Sequence, residues 1–174
     1  MSIDPEYIVR PLGDQERVAF SCGDKALDAY LLERAARDVR EKIAAVFVLL
    51  TEEDKNTILG YYTLSNQEVD AGELPPDLTR KTGKYRRLPA TLLGRLAVAE
   101  SRRGHRLGEY LLMDALRRSL EATTNVMSFA VVVDAKGEHV VAFYEKYGFL
   151  PLSENRLFLP MKTIEKTFKP TNQP

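Results

Sequence analysis

Residues 93–108 read LGRLAVAESRRGHRLG, an apolar segment followed by a polar turn and a basic loop with two glycines. The apolar residues 92–98 predict a strand, and the leucines of 107–121 recur at the spacing of an amphipathic helix. A strand that passes through a short glycine-containing loop into a helix brings backbone N–H groups to the positive end of the helix dipole. This order predicts a binding site for an anion such as a pyrophosphate.

The rest of the chain predicts a mixed α/β fold with helices on both faces of the sheet. Further strands are predicted at 8–12, 45–50, 57–64, 129–133 and 157–161, and further helices at 24–40 and 138–147. Asp24 is placed to cap the first helix. Residues 68–88 are polar and predict an excursion with a short helix at most. The unit 92–133 predicts a right-handed crossover between parallel strands.

The composition bounds the classes of protein that fit. The length of 174 residues predicts one domain over 1–168, and the proline-containing end 169–174 predicts a disordered tail. No apolar run approaches the roughly 18 residues of a membrane span, and the N-terminus lacks the pattern of a signal peptide, which favours the cytoplasm. Cys22 is the single cysteine of the sequence, so an internal disulfide is excluded. The sequence has no cluster of Cys and His residues that would predict a metal site.

The formal net charge is zero, but the basic residues are unevenly distributed. Residues 81–95 contain five of them and no acidic residue, and Arg102, Arg103 and Arg106 follow closely. Composition alone favours a solvated loop for the first cluster, and a surface that contacts phosphates is the alternative.

Several blocks, in this order and spacing, resemble the GNAT acetyltransferases. The loop RGHRLG at 103–108 is similar to their acyl-CoA motif Arg/Gln-x-x-Gly-x-Gly/Ala, although Arg106 stands where a glycine is usual. The blocks FSCG, GYYTLS, LGRLAV, VVVDAK, AFYEKYGF and RLFLPMK span about residues 20–164. Together they resemble the subgroup of acetyltransferase toxins that are encoded beside ribbon-helix-helix antitoxins.

The resemblance implies a fold and a set of donor-binding residues. The fold is a single GNAT-like domain with a mixed, mostly antiparallel twisted sheet of six to seven strands and a splayed central parallel pair. Acetyl-CoA is the implied acetyl donor, with no metal. Its implied contacts are the strand residues Leu96, Ala97 and Val98 and the loop residues Arg103, Gly104, His105, Arg106, Leu107 and Gly108.

Tyr144 is the residue that the resemblance implies as general acid. A phenol with an ordinary pKa near 10 is protonated at neutral pH and can donate to a leaving thiolate. Taken by itself, an aromatic residue in this segment is more often part of the core. Glu100 and Asp134 are weak candidates for a general base. Cys22 is expected to be a buried structural residue, because direct transfer needs no enzyme thiol.

The toxin subgroup implies an aminoacyl-tRNA acceptor, acetylated on its α-amine so that translation stops, as well as an antitoxin partner and a homodimer. Basic candidates for phosphate contacts are Arg34, Arg37, Lys84, Arg86, Arg87 and Arg95. Two alternatives remain open. One is an enzyme that acetylates a small amine or a protein N-terminus, which the neutral charge favours. The other is a degenerate non-catalytic module, which Arg106 favours.

Overall fold

A computed structural model describes residues 5–168 and contains a seven-stranded mixed sheet with helices. The strands are β1 (Tyr7–Pro11), β2 (Ala45–Thr51), β3 (Gly60–Asp70), β4 (Arg87–Val98), β5 (Ala130–Asp134), β6 (Leu150–Ser153) and β7 (Arg156–Pro160). The α-helices are α1 (Lys25–Glu33), α2 (Ala35–Arg40), α3 (Pro76–Lys81), α4 (Leu107–Ala122), α5 (Glu138–Lys146) and α6 (Met161–Phe168). The predicted α/β class and strand number are confirmed.

The strand order in the sheet is β1-β2-β3-β4-β5-β7-β6. Strands β4 and β5 are parallel, with a register that runs from Ala90↔Ala130 to Leu93↔Val133, while β4 itself continues to Val98. The pairs β1–β2, β2–β3, β5–β7 and β6–β7 are antiparallel. The predicted parallel pair in a mostly antiparallel sheet is therefore confirmed.

The chain divides into two compact units. The first comprises residues up to 65 together with 94–115. Its core contains Tyr30, Leu31, Val48, Tyr61 and Ala97, all nearly inaccessible to solvent. Asp24 caps α1 by accepting hydrogen bonds from the N–H groups of Ala26 and Leu27 at 2.9 and 3.2 Å, as predicted.

The second unit comprises residues 66–93 together with those from 116 onward. Its core is centred on β5 and β7, where Ala130, Val132 and Phe158 have no exposed surface. The β-branched run of β5 fits a strand that is buried on both faces. Helix α6 adds Met161 and Ile164 to the buried residues of this unit.

Several predicted boundaries were wrong. The helix predicted over 24–40 is interrupted at Arg34, where φ is −121° and ψ is −33°. The predicted excursion at 68–88 is shorter, because β3 extends to Asp70 and β4 already begins at Arg87, although the short helix within it is confirmed as α3. Strand β6 and helix α6 were not predicted.

Two further predictions concern the C-terminal tail and membrane-spanning segments. The tail predicted at 169–174 lies outside the described residues. Among the residues that the structure describes, no helix is long and apolar enough to cross a membrane.

Candidate active site

The C-terminal part of β4 places three predicted donor-binding residues in the first unit. Ala97 is buried, and Leu96 and Val98 are half-buried. Gly60 lies against this segment so closely that a Cβ at position 60 would be 2.8 Å from the Ala97 carbonyl oxygen. The side chains of 96–98 therefore contribute to packing, while any chemical role of this segment would belong to its backbone.

The loop after β4 has two residues with left-handed backbone. Gly104 has φ +87° and Arg106 has φ +56°. An L-residue with a side chain pays roughly 1–2 kcal/mol for this conformation, so glycine is favoured there. Position 106, where the family usually has glycine, therefore demands a positive φ, and Arg106 adopts it.

The N-terminus of α4 begins directly after this loop. The N–H of Tyr110 donates to the carbonyl of Arg106 at 3.1 Å, so the N–H groups of Leu107, Gly108 and Glu109 lack an acceptor four residues earlier. Gly108 lies inside α4 and its φ is not positive. The exposed residues Gly104, His105 and Arg106 leave the helix terminus open to solvent.

Arg103 fastens the loop to the turn before α1. Its Nη2 donates to the Cys22 carbonyl at 3.1 Å and lies 3.8 Å from Oε1 of Glu100. The N–H of Glu100 donates to the Ser21 carbonyl at 2.9 Å. In this structure the guanidinium of Arg103 is thus directed to protein groups, and a role in phosphate binding stays a prediction.

Tyr144 is a buried residue of the last turn of α5, in the second unit, with 6% of its surface exposed. Its ring packs edge-on against Phe143 and Phe149, with centroids 5.1 and 5.2 Å away. Burial raises the pKa of Tyr144 above its ordinary value. Within residues 5–168 no hydrogen bond of its hydroxyl is found, so the proton is not engaged by a protein acceptor.

Three weaker candidates have structural partners or an unreactive environment. Glu100 lies near Arg103, and Asp134 accepts a hydrogen bond from Nε of Arg156 at 2.9 Å. Burial, followed by the neighbouring Asp28 carboxylate, raises the pKa of the Cys22 thiol to about 11. The thiol is therefore protonated at neutral pH, which fits a structural cysteine, although Cys22 is half-buried and not buried as predicted.

The six predicted basic residues fall into both units. Arg34, Arg37, Lys84 and Arg86 are exposed, whereas Arg87 forms an ion pair with Glu68 at 3.1 Å. Arg95 is half-buried, with its guanidinium carbon 3.5 Å from the centroid of the Tyr30 ring. The predicted cluster 81–95 is therefore not uniform, because one member is paired and another is stacked on an aromatic ring.

Sequence reasoning missed the residues that support these groups. The sequence placed Tyr30 in a helix and Gly60 in a strand and gave neither a role at the site. In the structure Tyr30 lies under Arg95, and Gly60 lies against the backbone of Ala97. A glycine inside the strand predicted at 57–64 was the available signal for a close backbone approach. No group of three or more His, Cys, Asp or Glu side chains suited to a metal occurs in the described part of the chain.

A model of the acetyltransferase (GNAT) family matches residues 14–149. The chain belongs to the GNAT acetyltransferase family. The family predicted from the sequence blocks is thus confirmed.

Relatives of this acetyltransferase match along nearly their whole length. A protein of Mycobacterium tuberculosis named tRNA-acetylating toxin is 31% identical over 156 residues, which cover 88% of this chain and 91% of that protein. A structure of AtaT complexed with acetyl-methionyl-tRNAfMet is 31% identical with a TM-score of 0.87, covering 94% of this chain and 100% of that one.

A second AtaT structure is that of a tyrosine-to-phenylalanine variant, bound to the C-terminus of the antitoxin AtaR and to acetyl-CoA. It is 29% identical with a TM-score of 0.81, covering 94% of this chain and 99% of that one. The chain is therefore similar to GNAT toxins over its entire fold.

Proposed function

We propose that this acetyltransferase is a toxin that transfers an acetyl group from acetyl-CoA to the α-amine of an aminoacyl-tRNA and so blocks translation. The observation that carries the proposal is the nearly full-length match to AtaT complexed with acetyl-methionyl-tRNAfMet. Acetylation removes the nucleophilic amine that peptide-bond formation requires. Residues 1–168 form its catalytic domain in this proposal.

The loop 103–108 and the start of α4 hold the pyrophosphate of acetyl-CoA. The N–H groups of Leu107, Gly108 and Glu109 are free of helical acceptors, and the helix dipole favours an anion beside them. Gly104 leaves room for a ligand, because a Cβ built on it meets nothing within 4 Å. The backbone of Leu96, Ala97 and Val98 aligns the pantetheine.

Acetyl-CoA supplies an activated thioester, and Tyr144 completes the transfer as general acid. The acceptor nitrogen forms the new C–N bond, the C–S bond breaks, and the phenol proton goes to the departing sulfur. The proton lost by the amine is released to solvent, from which the phenolate is reprotonated. Burial, which raises the pKa of Tyr144, keeps the phenol protonated at neutral pH.

Six basic residues bind the phosphates of the acceptor. Five of them are exposed, namely Arg34, Arg37, Lys84, Arg86 and Arg87, and the sixth, Arg95, is half-buried. The active form is a cytoplasmic homodimer, and a ribbon-helix-helix antitoxin inhibits it. Two observations support the antitoxin: the full-length similarity to AtaT, and the structure of AtaT with the C-terminus of AtaR.

The purified protein, incubated with acetyl-CoA and charged tRNA, should yield N-acetylaminoacyl-tRNA, detected by mass spectrometry of the aminoacyl-adenosine released by nuclease. Free amino acids and polyamines serve as competing acceptors. If they are acetylated with a kcat/KM equal to that of charged tRNA, the toxin proposal fails and a small-amine acetyltransferase replaces it. If acetyl-CoA does not bind at all, the protein is a non-catalytic module.

A further inference from the structure

Arg95 differs from the other basic candidates because its side chain is held in place. It precedes the donor-binding segment 96–98 on β4, and its guanidinium carbon lies 3.5 Å from the centroid of the Tyr30 ring. Alternation along β4 puts Arg95 on the same face as Ala97, which belongs to the core cluster that contains Tyr30. A stacked guanidinium loses little conformational entropy when it binds a ligand.

The ring under Arg95 is fixed from two further directions. Tyr30 lies nearly parallel to Tyr61, with centroids 6.2 Å apart and an interplanar angle of 16°. Its hydroxyl donates to Oδ2 of Asp38 at 2.7 Å. The Asp38 carboxylate is thus engaged by the Tyr30 hydroxyl, and the ring under Arg95 is held by a hydrogen bond and by a stacked neighbour.

The N–H groups of Arg95 have no protein acceptor. Over residues 5–168 its guanidinium makes neither an ion pair within 4.0 Å nor a hydrogen bond. A guanidinium with one face covered still presents its N–H donors at the edge, in a fork that fits two oxygens of one phosphate or carboxylate. Because no carboxylate of the described residues pairs with it, the charge of Arg95 is available to an anionic ligand.

We propose that Arg95 is a positioning residue that makes a bidentate contact to the terminal phosphodiester of the acceptor nucleic acid and so sets the reacting amine against β4. This proposal rests on the proposed function. It separates Arg95 from the exposed arginines and lysines, which attract the acceptor by charge alone. Arg95 binds one phosphate at the reacting end, where position matters more than charge.

A double-mutant cycle tests this contact, with one substitution at Arg95 of the enzyme and the other at a phosphate of the acceptor. Charged acceptor-stem minihelices are prepared with a neutral methylphosphonate either at the terminal internucleotide linkage or at a linkage further along the same strand. For the wild-type enzyme the terminal replacement should lower kcat/KM about tenfold, the scale of a lost charge-assisted bidentate contact. In Arg95→Gln the same replacement should change kcat/KM less than twofold, because the partner is already absent.

Arg95→Lys keeps the charge but loses the fork, so it should behave like Arg95→Gln in this cycle. It also serves if the Gln variant does not fold. Arg40→Lys, an exposed arginine whose Nε lies 3.5 Å from Glu41, is the matched control and should respond like the wild type. The KM for acetyl-CoA should be equal in all four proteins.

Two results would overturn the assignment. One is an equal effect of the terminal methylphosphonate in the wild type and in both Arg95 variants, which would show that Arg95 does not contact that phosphate. The other is a rise in the KM for acetyl-CoA alone, which would place the phosphate in the donor. Failure of the wild type to acetylate any charged minihelix contradicts the proposed function instead, so the two failures are distinct.

Discussion

Arg106 is the residue at which this chain departs from its family, and the structure gives the departure a measurable cost. Arg106→Gly should raise the free energy of unfolding by about 0.5–1 kcal/mol, since a positive φ strains a side-chain-bearing residue. The matched control Arg102→Gly, at a position without positive φ, should lower it by a similar amount. Urea denaturation measures both, and a destabilising Arg106→Gly would contradict the strain.

The same Arg106 variant reports on ligand binding. Weaker binding of acetyl-CoA by Arg106→Gly, measured by calorimetry, would show that the guanidinium contacts a phosphate in addition to occupying a strained position. Unchanged or tighter binding would show that the backbone conformation alone is required. Stability and affinity are thus separate measurements on one substitution.

Tyr144→Phe keeps the packed ring and removes the proton donor. It should lower kcat roughly 10²-fold, the usual scale for a lost general acid, and leave the KM for acetyl-CoA unchanged. Tyr7→Phe, a hydroxyl removed in the first unit, should retain full activity. Full activity of Tyr144→Phe would exclude the phenol from the chemistry, and loss of folding would support a structural role in the core.

The elements at the Gly60 contact give a prediction about β3 and β4. Gly60→Ala places a Cβ 2.8 Å from the Ala97 carbonyl oxygen and 2.9 Å from Cδ1 of Leu111, so backbone has to move. The free energy of unfolding should fall by about 1–3 kcal/mol, and acetyl-CoA should bind more weakly because β4 is displaced. Gly13→Ala, whose Cβ meets only the Gln15 side chain at 3.6 Å, should leave both measurements unchanged.

The segment after α3 should not contribute evenly to tRNA binding. Each lost phosphate contact reduces the slope of log K against log salt by about one unit. Lys84→Gln and Arg86→Gln should each show that reduction, whereas Arg87→Gln should show less, because Arg87 has to leave Glu68 before it binds a phosphate. Equal reductions at the three positions would mean that the ion pair does not persist in solution.

Elements with a strong periodic pattern were predictable from sequence, and those defined by tertiary contacts were not. The leucine spacing predicted α4 and the β-branched run predicted β5, and the strand–loop–helix–strand order predicted the parallel pairing of β4 with β5. Strand β6 is only Leu150–Ser153 and contains Pro151, so it lacks an alternating pattern. The break at Arg34 carries no glycine or proline, and the contact of the Tyr30 hydroxyl with Asp38 beyond it is visible only in three dimensions.

The candidate site was predictable as a backbone pattern and less so as side-chain contacts. The loop 103–108 followed from strand, glycine and helix signals. The roles of Arg103 and Arg95 did not, because their partners, the Cys22 carbonyl and the Tyr30 ring, are distant in sequence. The positive φ of Arg106 was not predictable either, because the spacing of glycines in a sequence does not determine the dihedral angles of the residues between them.

For the whole molecule, three buried phenols and one half-buried thiol predict a loss of stability in alkali. Burial raises the pKa of Cys22 to about 11 and that of Tyr30 to about 12, and it raises those of Tyr61 and Tyr144 further. The unfolded chain releases these protons at their ordinary values, near 8.5 for cysteine and 10 for tyrosine. The contribution of these four groups to the free energy of unfolding should therefore be constant below pH 8 and fall as the pH rises.

The fall should reach at least about 1 kcal/mol by pH 11, measured by urea denaturation at each pH. Cys22→Ala should flatten the curve between pH 9 and 11, and Tyr144→Phe should flatten it above pH 10. A free energy of unfolding that stays level from pH 8 to pH 11 would contradict the burial of these groups.

The two left-handed residues of the loop, Gly104 and Arg106, change how relatives of this protein ought to be searched for. A sequence motif that requires glycine at position 106 rejects this chain, although the backbone at Arg106 has the left-handed conformation that glycine would adopt. A pattern written in dihedral angles, left-handed at 104 and 106 and helical from 107, accepts it. Asparagine and aspartate, which tolerate that conformation, belong at position 106 in such a pattern, and valine, isoleucine and threonine do not.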